Sequence, residues 1–148
     1  AMPLLSEENT EFEFGKGRVI QEGNDIAFIA TGETVYPALM AAKKLEADHQ
    51  IKATVVSMHT IKPLDTELLF ALAKKCKAVV TVEEHSVNGG LGEACASFLL
   101  QQGYQDKFKI IGIPDEYTVT GSQSEIFDHY GISEKGISET VINLLGNK

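Results

Sequence analysis

Two carboxylates and an imidazole stand in succession at Glu83, Glu84 and His85, and glycines follow at Gly89, Gly90 and Gly92. A carboxylate beside an imidazole raises its basicity, so the trio has the makings of a general acid–base group. Together with His59 it also offers the donor types of a metal site. Gly32 and the run Gly89 to Gly92 place backbone N–H groups at helix starts, where a phosphate or carboxylate can be held. Thr31 adds a hydroxyl beside Gly32. Each feature has a plainer reading. The Glu-Glu-His trio can be a hydrogen-bonded network that orients its loop or meets a partner chain. The glycines can serve tight geometry and close packing. On an extended segment alternate residues face opposite ways, so Glu83 and His85 share one side and Glu84 takes the other. His49 and His129 fall at helix ends and receive no role. There is no G-x-G-x-x-G dinucleotide fingerprint, no G-x-x-x-x-G-K-[ST] phosphate loop and no G-x-S-x-G nucleophile elbow. The residues themselves support a ligand- or partner-binding domain and do not spell out a complete active site.

The elements that position these groups follow from hydrophobic spacing. "FEFGKGRVIQEG" (Phe12 to Gly23) reads as a short hairpin or edge strand, and "DIAFIA" (Asp25 to Ala30) as a buried strand. A helix is predicted over "ETVYPALMAAKKLEAD", with Val35, Leu39, Ala42 and Leu45 as its stripe and Pro37 in its first turn. "IKATVVSM" is a strand, "HTIKPLD" a connection, and Asp65 an N-cap for "TELLFALAKKC". "KAVVTVEE" is a strand, "GLGEACASFLLQQG" a helix ending at Gly103, and "FKIIGI" a strand. Ser122 and Glu125 have capping-box spacing before "IFDHYG", and "ISETVINLLG" is an amphipathic helix. Such alternation predicts an α/β fold, a parallel sheet with helices on both faces. Continuous Val/Ile/Ala strands suit a sheet covered on both sides. In open sheets of this kind ligands bind beyond the carboxyl ends of the strands, where the winding reverses. The candidate residues fall there, after "DIAFIA" and after "KAVVTVEE".

Composition narrows the function classes. A chain of 148 residues, 43% hydrophobic and 23% charged, suits one domain with a proper core. The net charge of −8 disfavours nucleic acid, which needs a basic face, and anionic membranes. No apolar run approaches the roughly 20 residues that span a bilayer. The start "AMPLLSEENTEF" has no basic n-region or apolar h-region and does not read as a signal peptide. Ala1 reads as a cloning remnant, or the whole start as a cut point in a longer protein. Residues 1–11 are expected to be an extension or linker remnant, and 12–148 a single domain. Cys76 and Cys95 form no CxxC motif and sit in helical stretches, as buried free thiols of a cytoplasmic protein do.

The segments "GNDIAFIATGETVYPALMAAKKL", "VVSMHTIKPLD", "AVVTVEEHSVNGGLGEA" and "YGISEKGI" resemble the C-terminal domain of transketolase, especially that of the split bacterial enzyme. The likeness runs from about Phe12 to Leu145. T-I-K-P-L-D, E-E-H and G-G-L-G-E in this order and spacing are specific to it. Related domains occur in deoxyxylulose-phosphate synthase and in the beta subunits of 2-oxo acid dehydrogenases.

The resemblance implies a three-layer α/β/α sandwich around a five-stranded mixed sheet of order 1-3-2-4-5, with strand 1, near Arg18 to Gln21, antiparallel. It implies a parent enzyme that moves a two-carbon ketol unit between sugar phosphates with thiamine diphosphate and a divalent metal. Those groups are bound in the family's other domains, through a G-D-G motif that this chain lacks. The chain is therefore expected to hold no cofactor, no metal and no catalytic residue, and to be inactive alone. Its partners are expected to be the remaining domains or an N-terminal subunit, with a weak homodimer besides. Thr31, Gly32, Glu84, His85, Gly89, Gly90 and Gly92 are expected to form an interface loop or an anion site. The competing readings are a regulatory α/β module that binds a small anion, and the C-terminal domain of a deoxyxylulose-phosphate synthase or of a 2-oxo acid dehydrogenase beta subunit.

Overall fold

The computed structural model describes residues 3–8 and 10–146. Five strands form one sheet in the order β1-β3-β2-β4-β5. They are β1 (Arg18–Gln21), β2 (Ile26–Ala30), β3 (Ala53–Ser57), β4 (Ala78–Ser86) and β5 (Lys107–Ile113). Strands β2 to β5 run parallel, and β1 lies antiparallel to β3 on the edge. Within the Phe12 to Gly23 stretch, Arg18–Gln21 thus forms an edge strand paired with a distant segment, and the stretch is not a hairpin.

The alternation of β2 explains the continuous apolar runs. Ile26, Phe28 and Ala30 point to one face and Ala27 and Ile29 to the other, and all five are buried. The first face is covered by α1 (Val35–His49), α4 (Gln123–Tyr130) and α5 (Glu134–Leu145). The second is covered by α2 (Thr66–Lys75) and α3 (Leu91–Gln101). Leu5 packs against the first cluster, so part of the segment ahead of residue 12 is drawn onto the core.

The predicted caps form. Asp65 accepts the Leu68 amide at 3.1 Å, and its other oxygen accepts the Gly17 amide at 2.8 Å, tying the start of α2 to the approach to β1. Ser122 and Glu125 close a reciprocal capping box at α4. A short 3-10 turn, Gly32–Thr34, carries the chain from β2 into α1.

The crossover from β2 to β3 steps one way along the sheet, and the crossover from β3 to β4 steps back past β2. Both connections have the same hand only if α1 and α2 lie on opposite faces, as they do. The loops after β2 and β4 therefore part in opposite directions and leave a crevice between them. Among the described residues no helix is long and apolar enough to cross a membrane.

Candidate functional site

The crevice at this reversal is open and measures about 360 Å³. Thr31, Gly32 and Glu33 line it from the β2 side, Glu83, Glu84, His85, Gly89 and Gly90 from the β4 side, and Ile61 closes it. Strand β4 extends to Ser86, because Ser86 still pairs with Ile113 of β5. Glu83, Glu84 and His85 are therefore strand residues, in a stretch where the register slips: the four steps from Val82 to Ser86 on β4 face only the two from Ile111 to Ile113 on β5.

Glu83 is 1% exposed. Its carboxylate accepts the Leu91 amide and the Gly92 amide, each at 2.8 Å. These are leading N–H groups of α3, which have no partner within the helix. A carboxylate on the positive end of a helix is held by charge-assisted hydrogen bonds and by the helix dipole. The chain thus supplies its own anion to the helix start that an external phosphate would need. The Gly89 amide is likewise engaged, with Glu93 at 2.7 Å.

The glycines follow from this arrangement. Gly89 has φ +78°, a left-handed conformation suited to glycine. A Cβ on Gly90 would collide with the Glu83 carboxylate, and one on Gly92 would meet the Ile110 side chain at 2.5 Å and Thr81 Oγ1 at 2.8 Å. The spacing G-G-x-G lets α3 start directly on a buried carboxylate.

His85 shares the side of Glu83, with Nδ1 3.9 Å from the carboxylate and 2.7 Å from the Ser86 carbonyl. The carbonyl can only accept, so Nδ1 carries the proton in that contact. Glu84 takes the opposite side and is exposed. There the side-chain amide of Gln123 donates to Glu84 at 3.4 Å and also to Glu33. The first residue of α4 thereby bridges the two banks of the crevice. On the β2 bank the Thr34 hydroxyl lies 2.8 Å from the carbonyls of both Thr31 and Val82. The Thr31 amide donates to Val82 at 3.2 Å.

Of the residues singled out from the sequence, Thr31, Gly32, Glu84, His85, Gly89 and Gly90 line the crevice together. Gly92 lies beneath it, inside the α3 contact with β5. His59 does not join them. Its ring stacks edge-on to Phe12 at 5.2 Å, and Nε2 contacts the Glu13 carbonyl at 3.0 Å. The metal reading of His59 with the Glu-Glu-His trio therefore fails in geometry, and no group of three His, Cys, Asp or Glu residues among those described is placed to hold a metal. Glu33 and Gln123 belong to the site and were not singled out. Glu33 had a signal in its place beside Gly32, whereas Gln123 is 90 residues away and had none.

Behind Glu83 lies Cys95, fully buried on α3. Burial, and then the Glu83 charge, push its thiol up to about 12. Burial also raises the Cys76 thiol, and both cysteines are free. Only the thiolate reacts readily. At pH 8 an aromatic disulfide reagent is expected to leave the folded chain unmodified and to release two equivalents once guanidinium unfolds it. Rapid release from the folded protein would show an accessible thiol.

Comparison with known proteins places the whole arrangement. The family model described as "Transketolase, C-terminal domain" matches residues 15–137. One of the subunits of the apulose-4-phosphate transketolase of Phocaeicola vulgatus is 41% identical over 140 residues, 93% of this chain and 44% of that protein. The "1-deoxy-D-xylulose-5-phosphate synthase" of Trichormus variabilis is 40% identical over 141 residues, 95% of this chain and 22% of that one. A solved structure described as "Split gene transketolase, inactive beta4 tetramer" superposes with a TM-score of 0.89 at 38% identity, over 97% of this chain and 46% of that one. The chain thus spans less than half the length of these relatives.

Proposed function

The chain belongs to the transketolase C-terminal domain family, and from that membership we propose that it is the assembly domain of a larger ketol-transferring enzyme, inactive by itself. The observation that carries this reading is the Glu83 carboxylate on the α3 amides. The place where an α/β domain would take a phosphate is filled by the protein's own side chain, and Glu33 and Glu84 add further negative charge around it. Thiamine diphosphate does not fit this crevice, since its diphosphate would face three carboxylates and find two of the leading amides engaged. The cofactor and its divalent metal belong, in this reading, to the remaining domains or to an N-terminal subunit. The likeness to one component of a sugar-phosphate transketolase and to a split-gene transketolase supports a parent that moves a two-carbon unit between sugar phosphates. A cytoplasmic location accords with the two unpaired thiols.

The test is reconstitution. The chain alone, with thiamine diphosphate and magnesium, is expected to give no binding heat and no ketol transfer from a ketose phosphate to an aldose phosphate. Mixed with the cofactor-binding polypeptide of a split transketolase, it is expected to restore transfer. Transfer by the isolated chain would overturn the reading. Restoration of deoxyxylulose-phosphate synthesis in place of ketol transfer would move the parent to the other branch of the family.

A further inference from the structure

The exposed apolar side chains gather at one end of the molecule. Among the described residues seven large hydrophobics stand out into solvent. Six of them, Leu4, Phe12, Phe14, Val19, Tyr117 and Val119, belong to segments that meet the sheet at the carboxyl ends of its parallel strands. Phe12 stacks on His59 just beyond β3, Leu4 and Phe12 share a groove with Gly32 and Glu33 beyond β2, and Tyr117 and Val119 lie in the loop after β5. Phe14 is 77% exposed and Tyr117 wholly so. The seventh, Leu100, lies near the far end of α3. Scattered apolar residues need no explanation, but a cluster on one face marks an interaction surface.

Charge is segregated in the same way. The segments that border this end, residues 3–17, 31–34, 58–65, 83–90 and 114–122, contain ten acidic residues and two basic ones, Lys16 and Lys62. The chain has 21 acidic and 13 basic residues, so all the rest holds eleven of each and is neutral. Arg18, the first residue of β1, adds one cation here, over the Phe12 ring. Nearly all of the net charge of −8 therefore sits on the end that bears the aromatics.

We propose that this acidic, aromatic end docks a basic and apolar protein surface on the remaining part of the assembly, and not a second copy of the chain. The proposal rests on the assembly reading above and adds the face and the chemistry of its partner. Two such ends brought together would oppose like charges, whereas a basic surface is steered in and held. The longer relatives leave ample polypeptide to cover the face, since this chain accounts for 44% of one and 46% of another. The weak homodimer expected from the sequence would have to use a different face.

The probe is the cofactor-binding polypeptide of a split transketolase, titrated with the chain at about 50 and about 300 mM salt. Wild-type affinity is expected to fall at least about tenfold across that range, as a charge-complementary interface requires. The pairs Glu33→Lys/Glu84→Lys and Phe14→Ser/Tyr117→Ser are each expected to raise Kd by about tenfold or more. Glu139→Lys, on α5 at 62% exposure, is expected to change it less than about twofold. Unaltered circular-dichroism melting of every variant shows that the fold is retained. Face variants that bind as tightly as wild type overturn the proposal, as does salt-insensitive binding or a low-salt dimer that these substitutions abolish. Absence of both binding and ketol transfer with the wild-type chain removes the assembly reading and this proposal with it. Wild-type binding that ignores the face variants removes this proposal alone.

Discussion

Replacement of Glu83 by alanine is expected to destabilise the fold by about 3 kcal/mol. The substitution removes two charge-assisted hydrogen bonds of about 1.5–3 kcal/mol each and leaves the Leu91 and Gly92 amides buried without an acceptor. Relief of the cost of burying a carboxylate offsets part of that loss. For a domain of this size the melting temperature should fall by roughly 10 °C. Glu84→Ala, at the next residue but exposed, should stay within about 0.5 kcal/mol of wild type. Urea denaturation of the two variants decides the matter, and equal losses would remove the α3 anchor from the account. Gly90 supplies a sharper test. Its added methyl would collide with the Glu83 carboxylate, so Gly90→Ala should be costly in wild type and much less so in the Glu83→Ala background. Additive effects in that double-mutant cycle would deny the contact.

Alkaline pH is expected to weaken the fold through Cys95. The folded chain holds this thiol at about 12, above its ordinary value of 9, because it is buried and next because Glu83 is near. The unfolded chain therefore releases the proton first. The stabilisation is complete below pH 9 and is lost as pH rises toward 12, on the order of 4 kcal/mol by the end of that window. The Tyr104 hydroxyl, also raised to about 12 chiefly by burial, acts in the same direction above pH 10. Urea midpoints measured from pH 8 to pH 11.5 should decline in wild type and decline less in Cys95→Ala, whatever the small cavity costs that variant at neutral pH. Parallel declines in the two proteins would show that the loss comes from other groups, such as the lysines.

The reading of the crevice turned on a choice that spacing alone left open. Glu83, Glu84 and His85 were legible as a group at a strand end, and their alternation was legible too. Which side is buried was not. Side alternation is a property of the strand, but the burial of one side depends on where α3 crosses it. That crossing is set by Gly90 and Gly92 packing on Glu83, Thr81 and Ile110, contacts that join β4, α3 and β5. The glycines had both readings, anion cradle and close packing, and the helix-start amides proved to be engaged by Glu83 and not left free for an anion from outside. Gln123 joins Glu33 and Glu84 across sequence separations of 90 and 39 residues, which no local pattern records.

By itself the sequence determined whatever depends on neighbours along the chain. The strand–helix alternation, the Asp65 cap and the Ser122–Glu125 capping box follow from periodicity and from hydrogen bonds that span only a few residues. The family motifs, which record the whole fold indirectly, conveyed the strand order 1-3-2-4-5 that local patterns cannot. Only the tertiary structure decided the rest: β1 pairing with β3 and not in a hairpin, β4 running on to Ser86 along β5, His59 turning to the N-terminal arm, and Leu5 reaching the core. It also decided that the acidic loops and the exposed aromatics meet at one end, because β2 to β5 run parallel and every loop that follows a parallel strand leaves from the same, carboxyl end of the sheet.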